Sequence, residues 1–307
     1  MTATTGLTAD ELDAVVEVVD KLLASGPVDD VSRLRARLGR AGLWALDEPA
    51  AAALVVERLA GAQTALAWAA VQAHAAMTAL GADRAWGDLR TRIDSGDEAV
   101  AVVRVDRPTD GVVLPPTTFA RVDGAGPRPT VVALEPGRGA WVVPPHELEV
   151  VPIACTGLSG AGTARASTTR ALPATTHLVA DADPVSAQIV LHLGAAAAAR
   201  GLARAAQVAA VAYADVRHQF GRPLSSIAAV QEILRTIERS TDPGHVGSLD
   251  PSHVSATTAA ARAHVACEAA IVAASMALQV HGGYGYLTEY GAERMLRDAI
   301  SLRAAHA

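Results

Sequence analysis

At 307 residues with 50% hydrophobic side chains, the chain has enough apolar material for two domains or three small ones. Its 26 basic against 32 acidic residues give a net charge of −6, which excludes the dense basic surface of a nucleic-acid binder. Cys155 and Cys267 are far apart and lack metal-ligand spacing, so no metal site and a reducing, cytoplasmic location are expected.

The N-terminus has acids where an export leader would have bases, so none is expected. Thr8 and Glu11 have the T-x-x-E form of a capping box, and Leu12, Val15, Val16, Val19 and Leu22 recur at helical spacing. This predicts a first helix over 8–25, stopped by Gly26 and Pro27. Ser32 to Leu38 predicts a second helix. Residues 50–80, broken by Gly61, read as two packed helices, and 83–93 as a shorter one. An N-terminal helical domain is therefore expected over 1–94.

From Ala99 onward β-branched residues alternate with small or polar ones in short runs separated by turn residues. A small antiparallel β domain, a sheet or barrel, is expected over 95–183. Gly157, Gly160 and Gly162 lie in a stretch that reads as a loop, because no helix start follows it as a phosphate cradle would need. Pro184, after Asp183, opens a helix to Arg217, about 50 Å long at 1.5 Å per residue. Residues 187–214 are apolar enough to span a membrane, but Arg200 and Arg204 inside them point to a buried helix and no membrane span. Gly221 and Pro223 stop this helix, and Ser225 or Ser226 is expected to cap the next, to Ser240. Residues 241–253 read as an exposed loop, 254–279 as a helix, Gly282 and Gly283 as a turn, and 288–303 as the last helix. Residues 184–307 are thus expected to form a C-terminal four-helix bundle.

Two stretches of the bundle resemble the C-terminal signatures of the flavin-dependent acyl-CoA dehydrogenases. One is R-x-x-F-G-x-P-L, here Arg217, Phe220, Gly221, Pro223 and Leu224; the other is Q-x-x-G-G-x-G-Y, here Gln279, Gly282, Gly283, Gly285 and Tyr286. The resemblance implies that family's fold: a helical domain, a middle β domain and a helical bundle. It also implies FAD lying between subunits. Arg217 would meet the pyrophosphate of a neighbour's FAD, a task suited to the donor fork of a guanidinium. Gln279, Gly282 and Gly283 would let backbone approach the adenosine part, with Phe220 packed beside it. Taken without the family, Arg217 reads as an interhelical salt bridge and the two glycines as a turn. His281, inside the second stretch, reads as a helix C-terminal residue.

Other family residues are missing. The base that removes the α-proton is normally a glutamate shortly after an R-D-A tripeptide, here Arg297, Asp298 and Ala299. Counting forward places His306 at that position, and the family's other glutamate position falls on Ala187. The chain is therefore expected to carry no catalytic base of its own. A histidine so near the last residue is expected to be solvated. VRVDRPTDG keeps only Pro108 and Asp110 of the ring-binding T-E-P-x-A-G-S-D, the W-I-T tripeptide is not recognisable, and Ala228 stands where a flavin-contacting glutamine is common.

These losses fall on the chemical half of the site. The pattern is similar to the non-catalytic chain of actinobacterial heterotetrameric acyl-CoA dehydrogenases of steroid degradation. That resemblance implies FAD shared with a partner subunit, which would carry the glutamate and bind the acyl-CoA substrate. Two other readings stay open: a self-sufficient enzyme with His306 as base, its imidazole suited to neutral pH, and a flavin-free scaffold protein.

Overall fold

The computed structural model describes residues 7–25, 30–105, 107–241 and 248–306. Helix α1 (Ala9–Ala24) starts as its capping box predicts: Thr8 Oγ1 accepts from the Glu11 N–H, and the Glu11 carboxylate accepts from the Thr8 N–H at 2.8 Å. The expected stop at Gly26 and Pro27 lies outside the described residues. Helix α2 (Val31–Arg40) is held to the middle of the chain by Arg35, whose Nε donates to Gly96 O at 2.7 Å and Nη1 to Ala125 O at 3.1 Å. Helices α3 (Pro49–Ala62) and α4 (Thr64–Leu80) are the expected packed pair. The break between them falls at the extended residue Gln63 rather than at Gly61. Helix α5 (Gly87–Asp94) completes the helical segment.

Nine strands follow: β1 (Val100–Arg104), β2 (Val113–Leu114), β3 (Thr118–Asp123), β4 (Thr130–Glu135), β5 (Gly139–Val143), β6 (Leu148–Pro152), β7 (Thr163–Thr168), β8 (Leu172–Pro173) and β9 (Leu178–Val179). A one-turn helix α6 (Ala174–His177) sits between the last two. They make a four-stranded sheet in the order β1-β4-β5-β9, a three-stranded sheet β3-β7-β6, and the pair β2-β8. The expectation of an antiparallel layer is corrected at one ladder. Strands β1 and β4 run parallel, with Val100 opposite Thr130, because the chain crosses to the other sheet as β3 before it returns. Phe119, Val131, Trp141, Ala166 and Leu172 fill the space between the sheets. Trp141 is 0% exposed, and its Nε1 donates to Glu135 at 2.7 Å, so the buried indole is both packed and satisfied.

Helix α7 (Pro184–Val216) opens the bundle, with the Asp183 carboxylate accepting from the Ser186 N–H at 2.9 Å. A hairpin of β10 (His218–Gln219) and β11 (Arg222–Pro223) leads to α8 (Ala228–Thr241), α9 (Ala256–His281) and α10 (Ala292–His306). Ser225 and Ser226 do not cap α8 as expected. They lie in a 3-10 turn, and the Ser226 hydroxyl donates back to Pro223 O at 2.8 Å. The last helix begins at Ala292 rather than 288, because Thr288–Tyr290 winds as a 3-10 turn and Gly291, at φ +65°, breaks it from α10. Of the loop expected over 241–253, residues 242–247 lie outside the described residues.

Alanine decides how closely α7 and α9 meet. Ala195 to Ala199 on one helix and Ala263, Ala270, Ala273, Ala274 and Ala277 on the other are buried without residual exposure. At the crossing of α3 and α7, a Cβ on Gly201 would stand 1.9 Å from Glu57 O, so only glycine fits. Arg200 and Arg204, the charges inside the apolar helix, reach Glu57 of α3 at 2.7 and 3.4 Å. By length and hydropathy α7 and α9 could each cross a membrane; the most apolar window of α7 is 72% buried in this fold, and that of α9 44%. One cluster of buried side chains runs from Val19 through Trp68 and Leu202 to Leu302, joining both helical segments.

Candidate functional site

Two places collect the residues of interest: an exposed face at one end of the bundle, and a cleft between the helices and the β layer. The face is built where α7 and α9 end. Arg217 closes α7 with its N–H on Tyr213 O at 3.0 Å. Phe220 and Gly221 then turn the hairpin at φ +52° and +77°, the two left-handed residues of a type I′ turn. For phenylalanine that conformation costs about 1–2 kcal/mol, yet the side chain is 91% exposed, so no packing within this chain maintains it.

The Arg217 guanidinium carbon lies 5.0 Å from the centroid of the Tyr284 ring. Among the described residues no carboxylate pairs with Arg217, so it is not the interhelical salt bridge that its sequence context allowed. Gly282 needs its glycine, with φ +56°. Gly283 does not: its φ lies outside the left-handed region and an added Cβ would meet no atom of this chain. Open space beside a glycine that the backbone does not require is what close approach by an outside group needs. Gln279 is exposed one turn earlier. His281 is buried, stacked on Tyr213 at 4.3 Å, and its Nδ1 donates to Ala277 O at 2.7 Å, which makes it a closing residue of α9. Arg217 is thus brought against the Gly282–Tyr286 segment, with Phe220 on the hairpin that leaves the same helix end.

The cleft, of about 740 Å³, opens between α4, β1, β3, α7 and α10. Helix α4 is fixed to the β layer by Gln72, which accepts from the Val102 N–H at 2.6 Å, and by Trp68, whose Nε1 donates to Asp123 at 3.3 Å. Arg121 Nε donates to the same carboxylate at 2.8 Å. Asp123 is the one carboxylate among the described lining residues, and it is buried and engaged. Among the described residues no glutamate lines the cleft, and Ala187 is buried in α7.

His306 departs from expectation. It is not solvated, because α10 packs on α7 and α9 and its final turn forms part of the cleft wall. Its ring meets that of His192 edge-on, with centroids 5.9 Å apart. Burial, with His192 next to it, pushes the His306 pKa down to about 4. His192 is also lowered, by burial and then by the charge of Arg104. Sequence reasoning passed over His192. The available signal was that it is the single polar side chain between Ile189 and Ala199. Among the described residues no three metal-ligating side chains cluster.

Comparison with known proteins agrees with this architecture. Residues 192–306 match the family model for the acyl-CoA dehydrogenase C-terminal domain. A probable acyl-CoA dehydrogenase, YngJ, of Bacillus subtilis is 41% identical over 114 residues, covering 35% of this chain and 30% of that protein. The short-chain specific acyl-CoA dehydrogenase of Rattus norvegicus mitochondria is 35% identical over 114 residues, 35% of this chain and 28% of its own length. The matched stretch thus spans less than a third of these relatives. In structure, glutaryl-CoA dehydrogenase of Mycobacterium smegmatis, solved in complex with FADH2, is similar at a TM-score of 0.80 and 18% identity, covering 96% of this chain and 90% of that one. Butyryl-CoA dehydrogenase of Megasphaera elsdenii is similar at 0.71 and 18% identity, covering 97% and 94%. The chain thus has the acyl-CoA dehydrogenase fold throughout, and its residues 192–306 belong to the acyl-CoA dehydrogenase C-terminal domain family.

Proposed function

We propose that the chain is a subunit of a heteromeric FAD-dependent acyl-CoA dehydrogenase, one that completes a partner's flavin site and has no catalytic base of its own. The observation that supports this reading is the contrast between its two sites. The exposed face keeps Arg217, Phe220, Gln279, Gly282 and Gly283, whereas among the described residues the cleft has no free carboxylate. The chemistry FAD supplies when bound is acceptance of the β-hydride of an acyl-CoA thioester. In the proposed assembly Arg217 turns its donor fork to the pyrophosphate oxygens. Gly282 and Gly283 admit the adenosine part, Gln279 offers an amide beside them, and Phe220 covers it. The open space at Gly283 and the absence of any described carboxylate at Arg217 fit a phosphate-bearing group approaching from another chain.

The partner carries the glutamate and the acyl-CoA, with a steroid side-chain thioester as the acyl class favoured by the sequence pattern. The assembly is cytoplasmic in this reading. The test is co-expression with the acyl-CoA dehydrogenase encoded beside it, followed by the mass and flavin content of the purified assembly. A heterotetramer with about one flavin for every two chains is expected. A homo-oligomer with full flavin and turnover on acyl-CoA overturns it.

One observation favours a second reading, a self-sufficient enzyme: His306 does line the cleft. A pKa of about 4 leaves that imidazole unprotonated but a weak base for an α-proton. Unchanged turnover in His306→Ala would remove this reading.

A further inference from the structure

Four polar atoms buried without a hydrogen-bond partner belong to residues that line the cleft between the helices and the β layer: His192 Nδ1, His306 Nδ1, His306 Nε2 and Arg121 Nη2. Buried polar groups are nearly always paired, so their concentration here marks a place where the partner comes from outside the chain. Arg104 of β1 is exposed at the same wall, close enough for its charge to act on His192, and no described carboxylate pairs with it. Asp123 answers Arg121 Nε, Trp68 and Thr163, and among the described residues no hydrogen bond joins it to Arg104 or to either imidazole. The lining also holds apolar Leu191, Ala260 and Ala304 beside polar Gln72, Thr118 and Gln188, a mixed surface. A volume of about 740 Å³ suits a small organic molecule.

We propose that this cleft binds an organic carboxylate, its oxyanion head received by Arg104 and the His192–His306 pair and its apolar body laid against Leu191, Ala260 and Ala304. Each neutral imidazole has one N–H to give, and the guanidinium fork matches a carboxylate. The groups facing His306 are His192 from α7, His264 from α9 and Arg303 of its own helix, and His192 faces Arg104 from β1. Each of these is an imidazole or a guanidinium, and Asp123, the one acid among the described lining residues, is engaged elsewhere. A bound anion is therefore what would stabilise a proton on either ring, so ligand and proton strengthen each other's binding. The site is separate from the exposed face at the end of the bundle, and the proposal goes beyond the helper-subunit reading.

The test uses the full chain, with any partner that co-purifies, labelled with nitrogen-15 in its histidine rings and titrated with benzoate. The ring signals of two histidines, assigned with His192→Gln and His306→Gln, are expected to shift. Affinity should be higher at about pH 6 than at about pH 8. Arg104→Gln, at an exposed position that keeps its circular dichroism, should weaken binding about tenfold. Unshifted histidines, an equal response to benzyl alcohol, or wild-type affinity in Arg104→Gln overturns the proposal. So does a flavin chromophore found filling the cleft. Inorganic phosphate acting as strongly as benzoate assigns the site to phosphate and overturns the carboxylate. Failure of the helper-subunit reading shows instead in the mass and flavin content of the parent assembly.

Discussion

Arg217 at the end of α7 lies over Tyr284, in the 3-10 segment that follows α9, with 5.0 Å between guanidinium carbon and ring centroid. The contact holds a cation without its own counter-ion in a fixed orientation, at about 0.5–1 kcal/mol for an exposed pair. Arg217→Ala should lower the flavin retained by the assembly about tenfold or more, with little change in melting temperature. Arg217→Lys should fail to restore it, because an ammonium lacks the planar fork. The flavin-to-protein ratio after gel filtration measures both, and full retention in Arg217→Ala removes this residue from the cofactor.

The two neighbouring glycines should separate backbone need from ligand need. Gly282→Ala places a side chain at φ +56° and ψ −138° and should cost about 1–3 kcal/mol of stability. Gly283→Ala meets nothing in this chain, so its melting temperature should match the parent while flavin content falls. Unaltered flavin binding in Gly283→Ala would mean that no outside group approaches there.

Asp298 ties the β layer to the last helix: its Oδ1 accepts from the Leu158 N–H at 2.7 Å, beside Ser301, whose Oγ is 2.9 Å from the Gly157 N. Burial raises its pKa above the ordinary 3.8. The charged form is thus the less favoured one in the fold, and the stability this group contributes is present below its unfolded pKa and lost as pH rises through the folded one. Asp298→Asn keeps an acceptor without the charge and should hold stability at neutral pH. Asp298→Ala leaves a buried N–H unpaired and should cost about 1–3 kcal/mol, read by denaturant unfolding. Equal stability of the two variants would show that the hydrogen bond contributes nothing.

Acid should loosen the fold through its buried imidazoles. Burial pushes both His74 and His306 from 6.5 down to about 4. The unfolded chain takes up these protons near 6.5, whereas the folded chain resists until about 4. Their contribution is therefore complete above 6.5 and disappears as pH falls across that window. Scanning calorimetry should show the melting temperature falling through it, with a shallower fall in His74→Gln and in His306→Gln. A variant whose curve overlays the parent clears that histidine.

The start of each long helix was readable because its signals are local. Thr8 with Glu11 and Asp183 with Pro184 carry their caps within four residues of sequence, and both caps are present. The layer order followed from periodicity and turn residues. What escaped depends on distant partners: the parallel pairing of β1 with β4 follows from a crossover between sheets, and no residue in either strand announces it. The His192–His306 pair escaped for the same reason. One ring is a lone polar group in an Ala-rich helix and the other stands next to the last residue, and only the packing of α10 on α7 joins them. Of the candidate cofactor contacts, the residue types were legible by resemblance; the strain at Phe220 was not, since a left-handed φ is a property of the closed hairpin.

The alanine seam between α7 and α9 reverses the usual risks of mutation. In a core of leucine and phenylalanine the damaging changes are truncations that leave cavities, and many substitutions are of that kind. Here the buried positions from Ala195 to Ala199 hold single methyl groups, with almost nothing left to remove. Harm comes from growth: each added methylene must push α7 away from a neighbouring helix, α9, α3 or α4, and at Gly201 even one methyl collides with Glu57 O of α3. Over evolutionary time such a seam should drift among alanine, glycine and serine and reject larger residues, so the helix spacing that sets both the exposed face and the cleft is preserved by side chains that touch neither.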